Sequence, residues 1–103
     1  MPNRTKFARV LRNFATFLGS SEAPGAQFWA SRLLNAQSTF AGRPVRLATE
    51  VLGFYRGMGS LNDVVFGPGR DRETYDQLGD ELYALALSTI RRDRKRVSNR
   101  GHR

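Results

Sequence analysis

Apolar residues recur at helical spacing in four separate stretches of this chain, and that pattern predicts most of its architecture. In the first, about 5–18, Phe7, Val10, Leu11, Phe14, Phe17 and Leu18 form one broad stripe. Arg4, Arg9, Arg12 and Asn13 take the opposite side, and Gly19 is placed to end the helix. A second helix is expected over roughly 26–40, with Trp29, Leu33, Ala36 and Phe40 on one face and Phe28 and Leu34 flanking it. Gly42 closes it, and Pro44 suits the first turn of a third helix over about 45–55. There Leu47, Ala48, Val51, Leu52 and Tyr55 point inward. Gly53 weakens that helix, which predicts close approach of a neighbour as compensation.

The helical period then breaks. Residues 57–63 read Gly-Met-Gly-Ser-Leu-Asn-Asp, and Val64, Val65 and Phe66 follow as a short extended piece favoured by the β-branched pair. Gly67-Pro68-Gly69 is a turn, and Asp71 is a good N-cap for a fourth helix whose first turn holds Glu73. Its stripe runs through Tyr75, Leu78, Leu82, Leu85, Ala86, Thr89 and Ile90 and stops there. The predicted fold is therefore mainly α: a single four-helix domain over 1–90 with one irregular glycine-rich connection between helices three and four. Phe14, Trp29, Leu33, Leu52, Leu78 and Leu82 are expected to share its core. Residues 91–103 follow as a basic, flexible tail into which the fourth helix frays.

Composition sharpens this picture in two ways. The chain has 103 residues, enough for one domain with its own core, and no cysteine for a disulfide, thiolate metal site or thiol nucleophile. Its net charge of +8 is unevenly spread: residues 91–103 hold seven of the seventeen basic residues against Asp93 alone, while the rest is nearly balanced. The seven are Arg91, Arg92, Arg94, Lys95, Arg96, Arg100 and Arg103, the candidate nucleic-acid contacts. No apolar run approaches the ~20 residues of a membrane helix, and Arg9 and Arg12 interrupt any signal-peptide core. A cytoplasmic protein with no membrane partner is the expectation.

Little recognised chemistry is written in the chain. The only histidine is His102, so a Ser-His-Asp triad or imidazole metal site has no fixed base to use. Neither a phosphate-binding loop nor a dinucleotide motif is present, and no cofactor is expected. Glu73, Asp76 and Asp80 share one helix face, which suits a solvated surface better than a cation site. Arg70 stands at a helix start that suits an anion, but Asp71 and Glu73 occupy the same positive end and repel one. Trp29 and Tyr55 fall among leucines at helical spacing and read as core rather than as a base-stacking platform. In the connection, Ser60, Asn62 and Asp63 suit backbone capping, while Met58, Ser60, Leu61, Asn62 and Asp63 are the candidate partner-binding residues. A catalytic role for Ser60 or Asp63 lacks an identifiable base or metal.

The Gly-Met-Gly-Ser-Leu-Asn-Asp run with Val64 and Val65 after it resembles the signature of a family of small uncharacterised bacterial proteins, a likeness that extends from about Trp29 to Leu82. This chain carries Arg56 where the family pattern has a glycine. The resemblance implies a bacterial origin and a discrete domain, and no activity. The expected function is a non-enzymatic protein-interaction module, with an immunity or antidote protein as its particular form. The alternative is nucleic-acid binding through the basic tail.

Overall fold

The computed structural model describes the backbone of residues 2–56, 60–67 and 69–101, and the side chains of 6–56, 60–67 and 69–95. Four α-helices account for most of it: α1 (Pro2–Gly19), α2 (Ala26–Thr39), α3 (Pro44–Gly53) and α4 (Arg70–Gly101). A 3-10 turn, Leu61–Asp63, lies in the connection between α3 and α4. The mainly α, four-helix architecture is the one the apolar stripes predict.

Helix α1 packs against both α2 and α4, and α4 also covers α3. Burial of the stripes drives this arrangement. Phe7, Val10, Leu11, Phe14 and Leu18 of α1 meet Trp29, Ala30 and Leu33 of α2, Ala48 and Val51 of α3, and Leu82 and Ala86 of α4 in one core. Of the six residues expected at its centre, Leu52 and Leu78 are only partly buried and pack against its edge.

The helix boundaries depart from expectation where backbone chemistry overrides pattern. Asp71 is not the N-cap of α4. The helix begins at Arg70, and the Gly69 carbonyl takes the first helical hydrogen bond from the Glu73 N–H at 3.1 Å. Gly69 has φ +129°, open to glycine and strained for other residues. Gly53 has no neighbour within 4 Å of where a Cβ would stand, so the close approach expected there does not occur. Finally, α4 does not end near Ile90. Its apolar stripe stops, but the backbone remains helical to Gly101. Arginine and lysine are good helix formers, and cations near a helix C-terminus face the negative end of its dipole.

The connection is irregular, as its glycines suggest. Val64 is extended (φ −69°, ψ 125°), and Val64 and Phe66 are buried while Val65 between them is exposed, the alternation of an extended segment. Phe66 stacks on Phe17 of α1 at 5.5 Å between centroids and leans on Tyr75 of α4 at 4.9 Å. One aromatic side chain thus ties the connection to two helices.

Candidate functional site

The 60–63 turn is held from every side. Ser60 Oγ accepts the Asn62 N–H and Asp63 Oδ2 accepts the Ser60 N–H, each at 3.3 Å, a reciprocal capping box. The Leu61 N–H donates to the Phe54 carbonyl at 2.8 Å, and Asn62 Nδ2 donates to the Tyr55 carbonyl at 3.3 Å. Both acceptors lie just past α3, so the turn is anchored on the end of that helix. From α4, the Tyr75 hydroxyl donates to the Leu61 carbonyl. The Tyr55 hydroxyl reaches the other way and donates to the Gly79 carbonyl of α4 at 2.7 Å.

Both phenols resist ionisation. Burial, then the neighbouring Tyr75, Asp80 and Tyr83, pushes Tyr55 far above the usual phenol range. Burial chiefly raises Tyr75 as well, against a backbone hydrogen bond that pulls the other way. Each is held neutral and able to donate.

These anchors reassign the candidate partner-binding residues. Leu61 is 1% exposed and belongs to the core, and Ser60 is buried with its hydroxyl committed to the cap. Neither points outward, because the Leu61 backbone is bonded to Phe54 and Tyr75 and the Ser60 hydroxyl turns in to the Asn62 N–H. Asn62 and Asp63 remain exposed. Met58 lies outside the described residues.

Around Asn62 the surface forms a groove of about 380 Å³, lined by Leu52, Tyr55 and Arg56 on one side and Asp80, Tyr83 and Leu87 of α4 on the other. Tyr83 meets Tyr55 edge-on at 5.0 Å between centroids and is 40% exposed. Phe54 belongs to an aromatic cluster: Trp29 lies 5.2 Å from Phe28 and 5.3 Å from Phe54. Arg32 of α2 stands over all three rings, its guanidinium carbon 5.1 Å from the Phe54 centroid and 5.7 Å from the other two. The sequence did carry a signal for this, since Arg32 follows Phe28 and Trp29 by one helical turn. Tyr83, Asp80 and Leu87 left a weaker one as a second row beside the main stripe of α4.

The remaining candidates are more dispersed. Arg91, Arg92, Arg94 and Lys95 are exposed on α4, while the side chains of Arg96 and Arg100, and all of Arg103, lie outside the described residues, as does His102. Glu73, Asp76 and Asp80 are exposed on α4, where Asp76 pairs loosely with Arg72 at 3.9 Å. Among the described residues, no group of three or more acidic or histidine side chains is placed to hold a metal ion. No helix among them is long and apolar enough to cross a membrane. A larger apolar recess of about 500 Å³ lies among α1, the end of α2 and the start of α3, with Arg12 and Arg43 in its lining and no contribution from the 60–63 turn.

The chain belongs to a family defined by a domain of unknown function, DUF6966, whose model matches residues 22–74, just over half its length. No curated protein and no solved structure matches it. The matched span takes in α2, α3, the pinned turn and the first residues of α4. It therefore contains the Arg32 aromatic cluster and the Tyr55, Arg56 and Asn62 side of the groove, while Asp80, Tyr83 and Leu87 lie beyond it.

Proposed function

We propose that this chain is a non-enzymatic protein-interaction module that docks a partner protein on the face where the end of α3, the 60–63 turn and α4 meet. The observation that carries this reading is the turn itself: buried on one side and hydrogen-bonded to both neighbouring helices, it holds Asn62 beside Arg56 and Tyr83 on a fixed frame. Tyrosine and arginine dominate binding energy at interfaces, and a preformed surface loses little entropy on docking. The particular form we favour is a bacterial antidote or immunity protein of the cytoplasm, which neutralises a toxin by covering it. Such a task needs a rigid face and no chemistry.

The test is capture by crosslinking in cells that encode the chain, or co-purification with the product of a neighbouring gene. One protein should be enriched on the wild-type chain and lost on Asn62→Ala and Tyr83→Ala chains that melt normally. Equal capture by wild type and both variants would remove the groove from the reading.

Nucleic-acid binding has an observation of its own: Arg91, Arg92, Arg94 and Lys95 are displayed on a helix. Binding to arbitrary DNA or RNA should be weak, salt-dependent and largely lost on deleting 91–103. Sequence-specific binding that survived the deletion would displace the interaction reading.

A further inference from the structure

Arg32 is exposed on α2, yet among the described residues its guanidinium has neither an ion pair nor a hydrogen bond. What holds it is the ring cluster beneath: Phe54 at 5.1 Å, and Phe28 and Trp29 at 5.7 Å. Cation–π attraction to three ring faces fixes the position of the charge without consuming its donors. The five N–H groups lie in the guanidinium plane and match the two oxygens of a carboxylate. Beside them Phe28 is 58% exposed, an apolar shelf next to an unneutralised cation.

We infer that Arg32, seated on Phe28, Trp29 and Phe54, is an anchor for an acidic side chain of a partner protein, a glutamate or aspartate flanked by an apolar residue that covers Phe28. This rests on the interaction reading above and adds the chemistry of the partner. Three features select that occupant. The planar fork suits a carboxylate, the exposed ring suits an apolar neighbour, and Arg32 is the one charged residue of α2, with no acidic neighbour along the helix to compete for it. Phe54 links the anchor to the 60–63 turn, because its carbonyl accepts the Leu61 N–H at 2.8 Å.

Trp29 is the chain's only tryptophan and lies under Arg32, so its emission is a probe of this site. The full chain is titrated with a blocked peptide of alternating glutamate and leucine, and with its glutamine counterpart, following Trp29 emission and the Arg32 Nε–H resonance. The glutamate peptide should shift both signals to saturation, and the glutamine peptide should leave them unchanged. Arg32→Gln should abolish the response while the chain still melts cooperatively, with at most a small drop in midpoint from the lost ring contacts. Arg32→Lys, which keeps the charge but loses the fork, should weaken it about tenfold or more. Binding that leaves Trp29 emission unmoved and vanishes with residues 91–103 would place the peptide on the basic helix and overturn the anchor. So would an equal response from Arg32→Gln, or saturation by inorganic phosphate at lower concentration than the peptide. Partner capture that depends on Asn62 and Tyr83 but not on Arg32 would sink the anchor and leave the interaction reading standing. A peptide response lost in Arg32→Gln, with no capture dependent on Asn62 and Tyr83, would do the reverse.

Discussion

At the scale of single residues, the 60–63 turn depends on small polar contacts that can be removed one at a time. Asp63→Ala deletes the acceptor of the Ser60 N–H and should destabilise by about 0.5–2 kcal/mol in urea melts, the usual range for losing a cap. An unchanged midpoint would mean that the remaining contacts of Ser60, Asn62 and Tyr75 hold the turn without the Asp63 carboxylate. Tyr55 gives a test in pH. Its folded form is held protonated well above the unfolded phenol, so its contribution is complete below about pH 10. Above that the unfolded chain ionises first, and stability drains away as pH rises. Tyr55→Phe should be less stable than wild type near pH 8, because the hydrogen bond to Gly79 is gone, yet should lose less between pH 8 and 11. Parallel losses in the two proteins would contradict the burial argument. The capping role of Asp63 was legible in the sequence, since a serine followed three residues later by an acid is a known cap pattern. The fate of Leu61 was not, because periodicity has no meaning over three residues. Its direction is set by partners far along the chain, Phe54 and Tyr75.

Among the elements, α4 is where pattern and structure diverge most. The stripe from Tyr75 to Ile90 correctly marks the packed part, and Leu82→Ala should cost about 2–5 kcal/mol, as for any fully buried leucine. Leu61→Ala should fall in the same range, although it lies in a turn. A loss under about 0.5 kcal/mol at Leu61 would mean that the connection is not part of the core. Gly79 sits inside α4 where a Cβ would stand 3.5 Å from the Phe14 ring, an ordinary contact. Gly79→Ala should therefore raise stability by about 0.4–1 kcal/mol, since it stiffens the unfolded chain and fills no forbidden space. A fall instead would show that the methyl disturbs the Tyr55 bond to the Gly79 carbonyl. The continuation of α4 past Ile90 was invisible to a search for apolar stripes, because charged helix formers extend a helix without one.

For the whole molecule, deleting 91–103 should reduce the far-ultraviolet helical signal and leave the thermal midpoint nearly unchanged, because the core ends at Ile90. A large drop in the midpoint would mean that the last turns of α4 support the bundle. The four-helix plan was readable from the apolar spacing alone, since burying four stripes leaves few alternatives. Only part of the candidate site was: its aromatic and arginine members are brought together by tertiary packing between α2, α3 and α4.

The length of α4 has one more consequence. Its 32 residues extend about 48 Å at helical rise, and the molecule measures 53 Å along its long axis but only 27 and 23 Å across. A nearly neutral body thus carries its surplus cations toward one end of a rod, which makes the protein a strong electric dipole. In the field of an anionic surface it experiences a torque as well as a pull, and turns its helical end forward before any contact forms. At low ionic strength it therefore arrives already aligned, and added salt confines that alignment to the last Debye length of the approach, about 10 Å at 0.1 M.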